Sequence, residues 1–295
     1  MSPALPDVPR LPATLRVLRL HQWAKNLLLF LPILAAHRLA DRAALGRVAL
    51  AFLSFGFVAC AGYVLNDLFD LESDRQHPRK RARPFASGAL SPRAGFVLAP
   101  LLVAAGATLA WFLSRPFEAA LGGYLLVALL YSVRLKRELI LDVLVLAGLY
   151  TVRIYAGAFA AGVPVSEWLA SFSLFIFLSL ALLKRASELG EPEAASPRRG
   201  YHVADRLLLV ALGAASGYVA VLVLALYVNH PEVTRLYSRP QWLWGLCLLV
   251  LYWISRIWLL AFRGELEDDP VAFAILDPVS WIVAALGAVC IRLGT

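Results

Sequence analysis

Three aspartates and an asparagine follow directly on a long apolar run, and their spacing could build a metal site. The run FLSFGFVACAGYVL leads into NDLFDLESDRQHPRKRARPFASG at residues 66–88. If the helix of the apolar run continues, Asn66, Asp70 and Asp74 lie four residues apart along one face. Asp67 precedes Asp70 by three residues and joins the same face. Carboxylates this close repel one another, so a folded chain keeps them only beside cations.

A second charged cluster, of opposite sign, follows within the same segment. It consists of Arg79, Lys80, Arg81 and Arg83. Carboxylates that hold a hard divalent ion, next to bases that hold phosphate, are what pyrophosphate chemistry requires. We therefore hypothesise that this end of a membrane helix binds Mg²⁺ and a diphosphate. The competing interpretation is a solvated loop, but Asp67 is so close to the apolar run that it should lie at membrane depth, where ionisable groups are costly.

The composition predicts an integral membrane protein. Hydrophobic residues make up 60% of the chain, charged residues 16%, and the mean hydropathy is +0.71. Apolar runs recur along the whole sequence, so we predict one integral membrane domain over residues 1–295. The net charge of +8 comes from bases at the ends of these runs. It indicates membrane lipids and an anionic substrate as partners, and it does not indicate nucleic acid.

The apolar runs predict an all-α polytopic fold with nine membrane helices. They cover residues 22–36, 44–67, 93–113, 118–134, 139–161, 167–187, 205–228, 240–261 and 271–293. Pro32 lies inside the first, which predicts a kink or tilt. With a cytoplasmic N-terminus, most of the 28 lysines and arginines fall on the cytoplasmic side. The chain is thus predicted to be a multi-pass protein of the inner (cell) membrane whose acidic segment faces the cytoplasm.

Three further charged segments fall on the same predicted side. They are YSVRLKRELILD, LLKRASELGEPE and RGELEDDPVAFAILD, which contribute Tyr131, Lys136, Arg137 and Asp142, then Lys184, Arg185 and Glu188, then Glu265, Glu267, Asp268, Asp269 and Asp277. Each alone is typical of a helix end whose long side chains reach the membrane surface. Their shared side favours a common polar pocket.

Arg153 differs from these residues because it lies about midway along a predicted span. A buried arginine needs an anion, and a structural pair with a buried carboxylate is as plausible as substrate contact. The small residues that follow it suit close helix packing; they are Gly157, Ala158, Ala160, Ala161 and Gly162.

The chain resembles the UbiA superfamily of intramembrane prenyltransferases over essentially its whole length. The family's first motif, N-D-x-x-D-x-x-x-D with an R-P-x-x-S-G tail, matches Asn66, Asp67, Asp70, Asp74, Arg83, Pro84, Ser87 and Gly88. The resemblance implies nine helices around a central cavity open to the bilayer, with Mg²⁺ bridging the carboxylates to a pyrophosphate. Relatives form oligomers, so a homo-oligomer is among the implied partners.

The chain departs from the aromatic prenyltransferases of this family at the loop after the sixth helix. Those enzymes carry a second motif, D-x-x-x-D, where this chain has K-R-x-x-E-L. That segment, with H-P-x-K-R and Q-W-x-K-N, is more similar to the decaprenyl-phosphate phosphoribosyltransferase branch. The two further motifs comprise His77, Pro78, Lys80 and Arg81, then Gln22, Trp23, Lys25 and Asn26. Members of that branch take phosphoribosyl pyrophosphate as donor and a polyprenyl phosphate as acceptor.

The resemblance and the charged segments together assign roles to individual residues. Asp67, Asp70 and Asp74 are the expected catalytic metal ligands, and Lys184 on the sixth helix is an expected catalytic residue whose positive charge would hold phosphate. The expected substrate-binding residues are Lys25, Asn66, Arg75, Lys80, Arg81, Arg83, Tyr131, Lys136, Asp142, Arg153, Arg185 and Glu188.

Three functions remain open at this point. The favoured one transfers a phosphoribosyl group to a polyprenyl phosphate. The second transfers a polyprenyl chain from its diphosphate to an aromatic acceptor such as 4-hydroxybenzoate. The third is a carrier for an anionic metabolite or lipid, which would stay active when the carboxylates are neutralised. The carboxylates after the eighth helix are open candidates to replace the missing second motif.

Overall fold

The regular structure of the chain is helical throughout the part that is described. The computed structural model describes residues 12–78, 80–190, 200–231, 233, 237–266 and 270–295, and these contain no strand. The predicted all-α class is confirmed.

Twelve α-helices and several 3-10 segments make up these residues. In chain order they are α1 (Ala13–Val17), a 3-10 helix (Leu20–Phe30), α2 (Leu31–Ala35), α3 (Arg42–Phe69), α4 (Leu71–Gln76), a 3-10 turn (Lys80–Ala82), α5 (Pro92–Ala110), α6 (Arg115–Val133), a 3-10 turn (Leu135–Arg137), α7 (Leu141–Ala161), α8 (Glu167–Glu188), a 3-10 turn (Val203–Asp205), α9 (Arg206–Val228), a 3-10 turn (Pro240–Leu243), α10 (Trp244–Phe262), α11 (Pro270–Leu276) and α12 (Pro278–Gly294).

Seven helices within the described residues are long and apolar enough to cross a membrane, namely α3, α5, α6, α7, α8, α9 and α10 with their short 3-10 extensions. They correspond to the second through eighth predicted spans. Large apolar side chains cover their outward faces, among them Phe96, Leu207 and Leu248. Such a surface is stable only in lipid. The protein is an integral membrane protein.

The first and ninth predicted spans are each divided in the structure. The first is a 3-10 helix followed by α2, and Pro32 lies in the first turn of α2, where its missing N–H costs nothing. The ninth breaks between α11 and α12 because Pro278 forces the residue before it, Asp277, into an extended conformation with ψ of 121°. The remaining helix, α12, has 17 residues and is the shorter apolar helix of the set.

Small residues bring the 3-10 helix Leu20–Phe30 against α3 and α7. A Cβ placed on Gly157 of α7 would lie 2.1 Å from the carbonyl oxygen of Leu29. A Cβ on Gly56 of α3 would lie 2.8 Å from the ring of Trp23. The predicted close packing after Arg153 is therefore confirmed, and it fixes the 3-10 helix beneath the acidic segment.

Candidate active site

The helix α3 continues into the acidic segment, as predicted, but it is regular only to Phe69. Asp70 caps it with φ of −93° and ψ of 7°, and α4 starts at the next residue. The N–H of Asp70 still donates to the carbonyl of Asn66 at 3.0 Å, and the N–H of Asp74 donates to the carbonyl of Asp70 at 2.8 Å. Because the four-residue spacing is kept across the break, the acidic side chains stay near one side of the chain.

Asp67 and Asp74 face the same guanidinium. The Nη1 of Arg83 donates to Asp67 at 3.1 Å and to Asp74 at 2.6 Å. Both aspartates are buried. Arg19 donates its Nη2 to both oxygens of Asp67, at 2.6 and 2.7 Å. Arg19 was not among the predicted site residues; its place three residues before the Q-W-x-K-N motif was the available signal.

The R-P-x-x-S-G tail is a tight turn that returns Arg83 to the aspartates. The N–H of Ser87 donates to the carbonyl of Arg83 at 2.9 Å. Gly88 follows with φ of +79°, which only glycine adopts without strain. Phe85 is 1% exposed and packs so closely on Gly95 of α5 that a Cβ there would lie 2.9 Å from its ring. The motif thus anchors one aromatic ring so that the arginine before it points inward.

Asp70 faces a base from a different part of the chain. The Nζ of Lys136 donates to the two oxygens of Asp70 at 2.7 and 2.8 Å. Lys136 lies on the 3-10 turn between α6 and α7. We call the following residues the acidic cluster: Asp67, Asp70, Asp74, Arg19, Arg83 and Lys136.

Lys80 is half-buried on the 3-10 turn that follows α4. Its burial lowers the pKa of its ammonium group, and the charge of Arg83 lowers it further. Three carboxylates act in the opposite direction on this pKa; they belong to Asp74, Glu188 and Asp70. Carboxylates of both the acidic segment and the K-R-x-x-E-L segment therefore lie within electrostatic range of Lys80.

A second group of polar residues is centred on Arg185. Its Nε donates to Asp142 at 2.5 Å, its Nη1 to Glu188, and its Nη2 to the hydroxyl of Tyr131 at 3.2 Å. The hydroxyl of Tyr201 donates to the other oxygen of Asp142 at 2.6 Å. These five residues are the Arg185 cluster. Four of them were predicted site residues; Tyr201 was missed because nothing in its sequence surroundings marks it.

The Q-W-x-K-N motif ties α3 to α7 below the acidic cluster. The indole N–H of Trp23 donates to the Sγ of Cys60 at 3.2 Å. The amide oxygen of Asn26 accepts from the Nε of Arg153 at 3.1 Å. The Nζ of Lys25 lies 5.6 Å from the ring centre of Tyr150. Trp23 is therefore an anchor, whereas Lys25 and Asn26 turn toward α7.

Arg153 is buried, as predicted, but its partners are neutral. Besides Asn26, its Nη1 donates to the carbonyl of Leu149 and its Nη2 to the hydroxyl of Tyr124 at 3.0 Å. Three aromatic rings lie within 6 Å of its Cζ; they belong to Phe55, Tyr124 and Tyr150. No ion pair with a described carboxylate is formed. The alternative of a structural pair with a buried carboxylate is therefore wrong within the described residues.

The other predicted site residues lie on α3, on α4, on the 3-10 turn that follows α4, and on α8. Arg75 pairs with Glu72 at 2.9 Å on the exposed side of α4, and Arg81 is also exposed. Asn66 is half-buried at the end of α3. Lys184 is half-buried on α8, next in sequence to Arg185. Arg79 lies outside the described residues.

The third charged segment supplies no described carboxylate to these clusters. Glu265 is exposed, 4.0 Å from Arg263. Asp277 caps α12 and accepts from both terminal nitrogens of Arg256, at 2.8 and 3.1 Å. Glu267, Asp268 and Asp269 lie outside the described residues.

The three predicted metal ligands are paired with three bases, because Arg19 also holds Asp67. Asp67 and Asp74 share Arg83, and Asp70 holds Lys136. Within the ranges that the structure describes, no three side chains of the Asp, Glu, His or Cys type converge as ligands of one ion. The metal assignment therefore stays a prediction.

The fold and the clusters define a class: a polytopic helical membrane protein that gathers carboxylates and bases at one end of its bundle. The family model of the UbiA prenyltransferase family matches residues 28–277. The chain belongs to this family, and the predicted resemblance is confirmed.

Three relatives show how the similarity is distributed. The uncharacterized protein y4nM of Sinorhizobium fredii is 41% identical over 91% of this chain, and the chain spans about half of that protein (53%). The nodulation protein NoeC of Azorhizobium caulinodans is 38% identical over 91% of this chain and 88% of its own length. The decaprenyl-phosphate phosphoribosyltransferase of Mycolicibacterium smegmatis is 35% identical over 59% of this chain and 56% of its own length.

Solved structures share the fold. A UbiA homolog from Archaeoglobus fulgidus bound to GPP and Mg²⁺ superimposes with a TM-score of 0.70, at 18% identity, over 96% of this chain and 98% of that one. Another structure of that homolog, bound to DMAPP and Mg²⁺, gives a TM-score of 0.69, at 18% identity, over 95% of this chain and 99% of that one. The predicted UbiA-like bundle is therefore confirmed.

Proposed function

We propose that this protein is a Mg²⁺-dependent membrane transferase that moves the 5-phosphoribosyl group of phosphoribosyl pyrophosphate to a polyprenyl phosphate. The observation that carries the proposal is the acidic cluster. Two buried aspartates and a third beside them lie at the end of a membrane helix, surrounded by bases from three other parts of the chain. A single ion pair is common on a protein surface. Several carboxylates and bases gathered at membrane depth are instead typical of a site that binds a charged ligand.

The donor set of the acidic cluster fits Mg²⁺. All of the acceptor atoms are carboxylate oxygens, which this ion prefers. The guanidinium of Arg83 forms ion pairs with both Asp67 and Asp74, so these two carboxylates already share one cation. Asp67, Asp70 and Asp74 are the residues that would hold the ion. Bound there, Mg²⁺ would offset the negative charge that develops on the leaving pyrophosphate.

The bases of the cluster would hold the phosphate groups of the donor. In the proposed transfer, the C–O bond between the anomeric carbon and pyrophosphate breaks, and its electron pair leaves with pyrophosphate. A phosphate oxygen of the polyprenyl phosphate forms the new C–O bond at the same carbon. Lys80, Arg83 and Lys136 lie beside the carboxylates and would stabilise the departing charge.

The choice of a phosphoribosyl donor rests on the end of α8. An enzyme that holds a diphosphate through two metal sites would need a second pair of carboxylates. Here Arg185 is held by Asp142 and Glu188, and Lys184 precedes it. One metal site plus bases suits a single pyrophosphate and a monophosphate acceptor. The similarity to decaprenyl-phosphate phosphoribosyltransferases over 59% of the chain supports the same choice.

The orientation is part of the proposal. Both clusters lie at the same end of the bundle. The distribution of lysine and arginine along the sequence predicts that this end faces the cytoplasmic side of the inner membrane. A soluble, highly charged donor would reach this end from the cytoplasm, whereas the polyprenyl tail of the acceptor would stay in the bilayer.

A second candidate is transfer of a prenyl chain from its diphosphate to an aromatic acceptor. It is favoured by the structural similarity to a homolog solved with GPP and Mg²⁺. The same acidic cluster would then hold the prenyl diphosphate.

Paired assays separate the candidates. Purified protein with Mg²⁺ receives labelled phosphoribosyl pyrophosphate plus polyprenyl phosphate, and in parallel polyprenyl diphosphate plus 4-hydroxybenzoate. We expect labelled lipid from the first pair alone. Product from the second pair alone would replace the first proposal with the second. Substrate uptake into vesicles that survives Asp67→Asn, with no product from either pair, would indicate a carrier.

A further inference from the structure

The loop that carries Lys136 ends in a strained turn. Ile140 has φ of 61° and ψ of −38°, and the N–H of Leu141 donates across it to the carbonyl of Leu139 at 2.6 Å. This is a γ-turn of the positive-φ kind, which is rare, and a β-branched residue at positive φ is an outlier. Such a conformation persists only when its surroundings hold it in place.

Tyr201 holds this turn from outside the loop. Its hydroxyl accepts from the N–H of Ile140 at 2.9 Å and donates to Asp142 at 2.6 Å. Burial, and then the hydrogen bond to Asp142, raise the pKa of the phenol, so the hydroxyl keeps its proton. One oxygen atom thus restrains both the turn and the first residues of α7.

The residue before Tyr201 braces the other part of the loop. Gly200 has φ of +72°, and a Cβ placed on it would lie 3.3 Å from the carbonyl oxygen of Arg137. Arg137 adjoins Lys136, whose ammonium group contacts both oxygens of Asp70. The segment 200–201 therefore touches the loop on each side of the turn that presents Lys136 to the acidic cluster.

We infer that Tyr201 is a positioning residue: its hydroxyl fixes the 135–140 loop so that Lys136 meets Asp70 and, together with it, the diphosphate of the donor. The part of this inference that concerns the donor rests on the proposed function. The part that concerns Lys136 and Asp70 does not, so the two can be tested apart.

The first measurement reads the Lys136–Asp70 contact directly. A carbodiimide activates the carboxyl group of Asp70, the amine of Lys136 displaces the resulting urea, and an amide joins the two side chains. Mass spectrometry of the digested protein gives the yield. We expect Tyr201→Phe to lower this yield severalfold, because the ring stays while both hydrogen bonds are lost. A yield equal to that of the unmodified chain would overturn the inference.

Two further variants exclude a general loss of structure. Tyr218→Phe removes an exposed hydroxyl that contacts Ser255 at 3.2 Å, and it should leave the yield unchanged. Tyr201→Phe with Ile140→Gly relieves the strained φ, since glycine adopts it freely, and should recover much of the yield. No recovery would show that the hydrogen bond to the Ile140 N–H is not the restraint.

The second measurement connects the loop to the ligand. Binding of pyrophosphate in the presence of Mg²⁺ is followed by calorimetry for Tyr201→Phe, Lys136→Met and the double variant. We expect each single change to weaken binding about tenfold, the size of one lost hydrogen bond to a charged group, and the double variant to be no weaker than Lys136→Met. Additive losses would overturn action through Lys136. If the unmodified protein binds no pyrophosphate, the proposed function falls while the cross-linking result still decides the role of Tyr201.

Discussion

The acidic cluster and the Arg185 cluster contain the same kinds of charge, but they differ in how far their arginine side chains are exposed to water. The side chains of Arg185 and Asp142 are 2% and 0% exposed. In the acidic cluster the aspartates at 67 and 74 are as deeply buried, yet their partners Arg19 and Arg83 are 21% and 26% exposed. A buried carboxylate whose base reaches water can exchange that base for another cation. One whose base is itself buried cannot, so the second cluster is better suited to support than to ligand exchange.

The largest effect is expected from Asp67→Asn, which removes a charge that the exchangeable cluster needs. We expect turnover to fall by about a hundredfold to a thousandfold, the range seen when a main electrostatic contact of the transition state is lost. Stability should change little, because Arg19 and Arg83 can turn to water. Initial rates and thermal unfolding in detergent measure the two. Retained turnover would remove Asp67 from the site.

The next largest effect is expected from Arg185→Met in the closed cluster. It leaves the fully buried Asp142 without its ion-pair partner, at a cost of roughly 3 kcal/mol in the free energy of unfolding. Thermal and denaturant unfolding measure this. The double change with Asp142→Leu should recover part of the loss, because the pair is then replaced by apolar groups. If Arg185→Met were as stable as the original chain, the ion pair of Arg185 with Asp142 would not be shielded from water more than the pairs of the acidic cluster are.

A smaller effect is expected from Arg83→Gln, and it is a gain, because this change should strengthen metal binding. The arginine competes with any metal for Asp67 and Asp74, and a partly exposed ion pair is worth about 1 kcal/mol, about fivefold in affinity. Mn²⁺ binding, followed by electron paramagnetic resonance in the absence of donor, should therefore tighten by that factor, whereas donor affinity should fall. Arg115→Gln is the matched control, because its pair with Glu118 lies in the first turn of α6, outside both clusters. Weaker Mn²⁺ binding in Arg83→Gln would contradict exchange.

The smallest effect is expected from Arg75→Ala. Arg75 was predicted to bind substrate, yet it pairs with Glu72, whose side chain is 80% exposed. We expect turnover and donor KM to stay within about twofold, since exposed ion pairs contribute little. A large rise in KM would return Arg75 to the site.

The sequence predicted most of the bundle and much of the clustering of charged residues at its end. Apolar runs gave the seven long helices to within a few residues, because membrane spans need uninterrupted apolar length. The aspartate spacing and the basic segments predicted which residues would gather at one end. The sequence could not predict which acid pairs with which base. Asp70 pairs with Lys136, and Arg185 pairs with Asp142, because folding brings these distant segments into contact.

Two kinds of error have physical causes. Pro278 divided the last predicted span, because hydropathy does not register that the residue before a proline is forced into an extended conformation. In the first span, the predicted irregularity near Pro32 takes the form of a 3-10 helix that passes into α2. Tyr201 was missed because nothing in its sequence surroundings marks it. Arg19 was missed because it lies before the first predicted span, although it precedes the Q-W-x-K-N motif by only three residues. Their roles exist only in three dimensions.

The order in which the ion pairs can form during synthesis follows from where their members lie in the chain. Arg19 and Asp67 are 48 residues apart, so the first pair can form once the second span leaves the ribosome. Asp70 must wait for Lys136, which emerges 66 residues later, and Asp142 must wait 43 residues for Arg185. Until then those acids sit at the lipid boundary without their bases. The ion pairs of the two clusters are therefore complete only after α8, which carries Arg185, has been inserted.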